Sequence, residues 1–341
     1  MRSQRFGIEI EMTGITRTKA AQIIAGIFGG DTTHVGGNYD TYTARDQQGR
    51  QWKVMSDASI RCESGRGTDG GRAYSVEVVS PICTYDDIEK IQQIVRVLKA
   101  AGAKVNNSCG IHIHVDASTH TVDTLKNIVN IMAAKEDLLY KALDVSVARQ
   151  NYCKRADLRF LDDINFRPPR NMDELEQMWY NGYGSRYVHY DDSRYHALNL
   201  HSVFSKGTIE FRLFNSTLHA GKVKSYIQLC LAISHQALIQ QRAFRYKTQS
   251  TNEKYTFRVW LLRLGMIGPE FKTARFHLLS NLEGNIAWKD PAQAIAQKER
   301  LKAKREEIMN ATATEDVSEP EENNENEEDE EQDETFPALT M

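Results

Sequence analysis

The sequence contains no run of eighteen apolar residues, so no hydrocarbon-spanning helix and no membrane partner is expected. Its N-terminus, Met-Arg-Ser-Gln-Arg-Phe-Gly, leads into a strand pattern without the apolar segment of a signal peptide, and the chain reads as soluble and cytoplasmic. Cysteine is scarce and unpaired in pattern. The five residues Cys62, Cys83, Cys109, Cys153 and Cys230 are widely spaced with no Cys-x-x-Cys, which argues against a disulfide framework or a zinc ribbon. There is no Gly-x4-Gly-Lys-Ser/Thr phosphate loop and no nucleophile elbow. No stretch interleaves Lys and Arg with aromatics, so no specific nucleic-acid partner is expected. Cys109, close to His112, is the one thiol that could suggest a nucleophile, and beside Gly110 it reads as packing.

What is present begins with charge. The net charge of −3 conceals an asymmetry, because residues 315–334 hold thirteen acids and no base. Without them, 43 bases face 33 acids, a body of about +10 that suits an anionic ligand such as a nucleotide phosphate. The acidic tail has too few apolar residues to fold and reads as a disordered, solubilising segment over 313–341. The full chain of 341 residues, 40% of them apolar, is long enough for a substantial core.

Periodicity predicts a strand over about 5–13, a helix over Lys19–Phe28 stopped by Gly29-Gly30, and paired strands Tyr39–Thr43 and Gln51–Met55 with a third near Ser59. Ser64–Gly71, with four glycines, reads as a mobile loop before a strand over Tyr74–Val79. An amphipathic helix over 84–101, a strand at Ile-His-Ile-His and a helix over Val122–Val147 follow. Residues 148–193 read as an irregular substrate-facing region with one helix near Asp173–Tyr180. Strands Ala197–Phe204 and Thr208–Phe214 form a hairpin across Ser205-Lys206-Gly207. Helices over Lys222–Arg242, Asn252–Leu264, after Pro269 and over Pro291–Met309 complete the reading. Mixed strands and helices with a polar sheet face predict an α+β fold, with a main domain over 1–245, a helical extension over 246–312, and the tail.

Four segments share one pattern: Gly-Ile-Glu-Ile-Glu-Met (7–12), Val-Glu-Val-Val (76–79), Ile-His-Ile-His-Val (111–115) and Ile-Glu-Phe-Arg-Leu (209–213). Their apolar residues can fill a core, and the opposite face carries Glu9, Glu11, Glu77, His112, His114, Glu210 and Arg212. Read singly, each has an ordinary explanation. Glu-x-Glu is a solvated face, His-x-His a structural pair, Arg212 the salt-bridge partner of Glu210, and Asp57 a turn residue. Repetition over four strands instead composes a metal and phosphate cleft. Glu9 and Glu11 lie roughly 7 Å apart along one face, a spacing that serves two adjacent cations. Carboxylates buried together without cations would each cost on the order of several kcal/mol. The histidines alone would favour zinc or iron, but carboxylates outnumber them, so Mg²⁺ is favoured, with Mn²⁺ the alternative. Arg212 can hold a transferring phosphoryl group, and Arg194 and Asn199 are polar ligand candidates.

Six segments in order, Phe-Gly-Ile-Glu-Ile-Glu (6–11), Trp-Lys-Val-Met-Ser-Asp-Ala-Ser (52–59), Val-Glu-Val-Val-Ser-Pro (76–81), Cys-Gly-Ile-His-Ile-His (109–114), Arg-Tyr-His-Ala-Leu-Asn (194–199) and Gly-Thr-Ile-Glu-Phe-Arg (207–212), resemble the amidoligase family. That family stands with carboxylate–amine ligases of the glutamate–cysteine ligase and glutamine synthetase type. The resemblance, spanning about 5–240, implies a curved, mainly antiparallel sheet with flanking helices around an ATP site. It implies metal ligation by Glu9, Glu11, Glu77 and Glu210, with Asp57 added, although Ala58 stands where the commoner motif has glycine. His112 and His114 would contact metal or nucleotide. Arg194 and Asn199 would face nucleotide or substrate, and Arg212, beside Glu210, would steady the transferred phosphate. The implied reaction is ATP-dependent amide formation through an acyl phosphate, joining a carboxylate substrate to an amine, either of them a small molecule, peptide or protein. Two alternatives are a metal-dependent hydrolase or nuclease around two ions, and a non-catalytic scaffold using the basic body or acidic tail.

Overall fold

Alternation in Phe6–Met12 sends Ile8, Ile10 and Met12 to one side and Gly7, Glu9 and Glu11 to the other. In the computed structural model this strand, β1, lies inside one eight-stranded antiparallel sheet. The structure describes residues 1–315 apart from Arg66 and Thr68. The other strands are β2 (Thr32–Gly36), β3 (Thr41–Arg45), β4 (Gln51–Met55), β5 (Val76–Val79), β6 (Gly110–Asp116), β7 (Leu198–Asn199) and β8 (Thr208–Asn215). Their order across the sheet is β2-β3-β4-β5-β1-β6-β8-β7.

The helices are α1 (Arg17–Phe28), α2 (Ile88–Ala100), α3 (Val122–Ala142), α4 (Leu158–Phe166), α5 (Met172–Tyr180), α6 (His201–Lys206), α7 (Ala220–Ile239), α8 (Glu253–Arg263), α9 (Lys272–Leu279) and α10 (Pro291–Glu315). Helix α1 begins where Thr16 accepts a hydrogen bond from the Lys19 N–H and ends at Gly29 in the left-handed region. It packs on the sheet, as does α7, and α2 packs against both. The alternating apolar residues of β1, β5, β6 and β8 join those helices in one buried core that includes Ile8, Ile24, Ile94, Ile111, Phe211 and Ile227. Helices α3 and α9 pack on α7, and α8 on α9. Met1–Pro291 form one unit. By itself, α10 is an exposed helix in which Lys302 Nζ lies 3.8 Å from Glu306. Among the described residues no helix is long and apolar enough to cross a membrane.

The α+β, antiparallel expectation holds, with local corrections. Asp57–Ser59 starts no strand: Asp57 Oδ1 accepts from the Ser59 N–H at 2.6 Å, an Asx turn. The expected strand Ala197–Phe204 is only β7, and α6 replaces the hairpin turn. Gly207, with φ 72°, caps that helix, since a left-handed glycine closes a helix as readily as it turns a hairpin. Helix α4 was not expected; Asp157 caps it by accepting from the Phe160 N–H at 2.8 Å. Strand β2 was not expected as a separate element, and α3 stops at Ala142, short of Val147. Within the Ser64–Gly71 loop, Arg66 and Thr68 lie outside the described residues, as does the acidic tail from 316.

Candidate active site

Register brings the polar positions into a lattice on the face opposite the core. Glu11 pairs with Glu77 across β1 and β5, Glu9 with His112 across β1 and β6, His114 with Glu210 across β6 and β8, and Glu210 with Asn199 across β8 and β7. Between β6 and β8 the register steps from Ile111↔Phe214 to Ile113↔Phe211, so Arg212 and Leu213 together oppose His112. This bulge adds one residue to β8 and keeps Arg212 beside Glu210 on the polar face. Asp57 follows β4; Ser75 locks its backbone, accepting the Asp57 N–H at 2.9 Å and donating to its carbonyl at 2.6 Å.

The side chains converge. His112 Nδ1 lies 3.0 Å from Glu9 Oε2, and His114 Nε2 lies 3.2 Å from Glu9 Oε1 in an ion-pair contact that leaves the buried nitrogen without a hydrogen-bond partner. His114 Nδ1 is engaged by Thr208 Oγ1 at 3.0 Å, and Ser202 in turn meets that hydroxyl at 2.8 Å. The Gly110 N–H donates to Glu11 Oε2 at 2.6 Å, Asn199 Nδ2 donates to Glu210 Oε2 at 2.6 Å, and Arg212 donates to Glu210 Oε1. Glu11, Glu77, His112, His114, Asn199, Glu210 and Arg212 are all buried.

Burial dominates the electrostatics. It raises the Glu11 carboxyl to about 7, with Asp57 adding to the shift and Arg149 opposing it. Burial followed by Glu9, Glu11 and Asp57 pushes Glu77 well above the carboxylate range. Burial would also raise Glu210, yet Arg212 and the two histidines hold it at about 2. Burial, reinforced by Arg212, lowers His112 to about 4, so its imidazole is neutral at pH 7. His114 and His112 hold Glu9 below the carboxylate range against its burial, so the shortage of positive charge falls on the Glu11 and Glu77 side of the floor, where burial favours the protonated carboxyls.

Three overlapping donor sets could supply it: Glu11, Asp57 and Glu77; Glu9, Glu77 and His112; and Glu9, His114 and Glu210, each with ligand atoms within 4.8 Å of one another. Glu9 and Glu77 are each shared by two sets, so the sets form a row across the strands. The oxygen-rich donors, the unpartnered His114 Nε2 and the raised carboxyls fit divalent cations. The model of a family described as putative amidoligase enzyme matches residues 2–234. The chain belongs to the amidoligase family. A search of curated proteins found no match. The six segments quoted above all lie within the matched span, and amidoligases are, by name, enzymes of the ligase kind.

Of the residues expected from sequence, the candidate site of this amidoligase gathers Glu9, Glu11, Asp57, Glu77, His112, His114, Asn199, Glu210 and Arg212. Arg194 stands farther out: its guanidinium lies over the Tyr195 ring at 5.8 Å, and Arg212 lies 6.0 Å from the same ring. Sequence reading missed Arg149, which ends the short helix Val147–Arg149 and places Nη1 3.9 Å from Glu11 Oε2. It also missed Ser75, Ser202 and Thr208, which hold Asp57 and His114. No strand periodicity marks Arg149; the neighbouring Gly110, at the head of the His-x-His strand, was the available signal.

Proposed function

We propose that this amidoligase is an ATP-dependent carbon–nitrogen ligase that forms an amide through an acyl phosphate, with a sheet of the glutamine synthetase and glutamate–cysteine ligase type. The observation that carries the reading is the row of overlapping carboxylate and imidazole donor sets ending at Arg212. Glu9, Glu11, Asp57, Glu77 and Glu210, with His112 and His114, would hold Mg²⁺, or Mn²⁺ in its place. Bound there, the cations supply charge neutralisation for the β- and γ-phosphates of ATP. We assign this chemistry to residues 1–245, and the choice of carboxylate and amine to residues 148–193.

A cavity of about 310 Å³ supports the nucleotide part of the reading, opening beside Glu9 and His114 and lined by Gly7, Val79, Pro81 and Lys206. Gly7 shares the polar face with Glu9, and a Cβ there would meet nothing closer than Ser80 Oγ at 3.8 Å, so the floor is open backbone. Val79 and Pro81 offer an apolar wall for a base, and Lys206 a cation for phosphate. In the reaction a substrate carboxylate oxygen attacks the γ-phosphorus and the bond to the β-bridging oxygen breaks, releasing ADP. The amine nitrogen then attacks the acyl carbon, the acyl C–O bond to phosphate breaks, and the amine gives up a proton as phosphate leaves. Arg212 faces the charge that develops on the transferring group, and Glu210 with Asn199 fixes its guanidinium. No protein nucleophile is needed, consistent with burial pushing the Cys109 thiol up to about 11.

Hydroxylamine tests the reading by capturing an acyl phosphate as a hydroxamate. With Mg²⁺, ATP and pooled carboxylates, carboxylate-dependent ADP release with hydroxamate formation is expected. Metal-dependent phosphodiester or peptide cleavage without ATP consumption would favour the hydrolase reading and contradict this one.

A further inference from the structure

Among the described residues, two arginines are deeply buried outside the Glu210–Arg212 pair, and the chain treats them differently. Arg17, 5% exposed, is satisfied: Nη1 donates to the Arg72 and Ser75 carbonyls at 2.5 and 2.7 Å, and Nη2 and Nε donate to Asp40 at 2.5 and 3.2 Å. That is how a structural guanidinium is kept inside a protein. Arg149, 3% exposed, is left nearly unsatisfied. Its Nη2 reaches the Arg212 carbonyl at 3.3 Å, its Nη1 stops 3.9 Å from Glu11 Oε2, and its Nε has no partner. A guanidinium offers five N–H donors.

Its placement is built rather than incidental. Gly110 precedes His112 and His114 at the same two-residue spacing, so a side chain there would extend the polar face beside Glu11. A Cβ at Gly110 would fall 2.2 Å from Arg149 Nη2 and 2.3 Å from Cζ. The guanidinium therefore occupies the space that the missing side chain leaves. The short helix Val147–Arg149 thus inserts a cation into a sheet lattice otherwise filled by strand residues. Arg212, whose carbonyl Arg149 contacts, also has an unpartnered Nε.

Resting on the ligase reading above, we infer that Arg149 is a second anion-holding residue of the site, which shares the transferring phosphoryl group with Arg212, and that position 110 is glycine to admit it. Two guanidinium forks at adjoining lattice positions match the several oxygens of a phosphoryl group, which one fork and a row of cations hold less specifically. Loss of one fork weakens the hold on the transfer-state geometry more than on bound ATP.

The test compares binding of a non-hydrolysable ATP analogue with binding of ADP plus aluminium fluoride, a mimic of the phosphoryl group in flight, both with Mg²⁺. Arg149→Gln should bind the analogue within about threefold of wild type and lose about tenfold or more in affinity for ADP with aluminium fluoride. Arg149→Lys should recover part of that loss, and Gly110→Ala, which displaces the guanidinium, should reproduce it. If Arg149→Gln does not fold, the lysine and alanine variants carry the comparison. Aluminium fluoride binding unchanged in the variants, absent in a wild type that binds the analogue, or reduced only in step with the analogue would overturn the inference. Absence of any Mg²⁺-dependent nucleotide binding by folded wild type would instead defeat the ligase reading, and this inference with it.

Discussion

Glu11 on β1 and Glu77 on β5 stand directly opposite each other in the sheet, two buried carboxyls in register. Like charges so placed destabilise a strand pair unless a proton or a cation intervenes. Burial, followed by Glu9, Glu11 and Asp57, raises Glu77 well above its ordinary range, which favours its protonated form when no cation is bound. Glu77→Gln should therefore hold or raise the melting temperature in chelator by about 2–4 °C, equivalent to about 1 kcal/mol. The same variant should lose most of the stabilisation that Mg²⁺ or Mn²⁺ gives wild type. A variant less stable in chelator but fully stabilised by cations would contradict the donor sets.

Ser75 ties Asp57 to the site through two backbone hydrogen bonds and is itself buried. Ser75→Ala should cost about 1–3 kcal/mol and weaken one class of Mn²⁺ site, that of Glu11, Asp57 and Glu77. The class built on Glu9, His114 and Glu210 should persist. Electron paramagnetic resonance titration with Mn²⁺ separates them; equal weakening of both classes would count against separate sets.

His120 is largely enclosed, with Nε2 2.9 Å from Ser234 Oγ and Nδ1 3.1 Å from Thr124 Oγ1. Burial lowers its pKa from 6.5 to about 4, with Asp116 opposing. Between those values the unfolded chain binds more protons, so this contribution to stability is full above pH 6.5 and is lost as pH falls toward 4. The fall from 6.5 to about 4, at roughly 1.4 kcal/mol per pK unit, sets a ceiling of about 3.5 kcal/mol, which the partial exposure of His120 reduces to about 1–3 kcal/mol. Denaturant unfolding of wild type and His120→Gln at pH 4.5 and 7 checks this. The variant should show the smaller change, and equal changes would refute the assignment.

The sheet and most of the site were legible because period two survives in a strand whatever surrounds it. Ile8 and Ile10 had to face a core, so Glu9 and Glu11 had to face away, and the register follows once four such strands pair. Position 201 onward misled because Leu198 and Leu200 alternate as in a strand while Gly207 serves hairpin and helix cap alike. Arg149 was illegible for a different reason: a single helical turn outside the sheet delivers it, and only the packing against Gly110 gives it a place. The bulge at Arg212–Leu213 was equally hidden, since register slips leave no mark in one strand's own pattern.

The most direct test of the central claim is calorimetric titration of wild type and Glu9→Gln with a non-hydrolysable ATP analogue, with and without Mg²⁺, after circular dichroism confirms that both are folded. Glu9 belongs to two of the three donor sets. Magnesium-dependent binding by wild type that the substitution abolishes is the predicted result. Binding that needs no metal, binding that survives Glu9→Gln unchanged, or no binding by folded wild type would contradict the account.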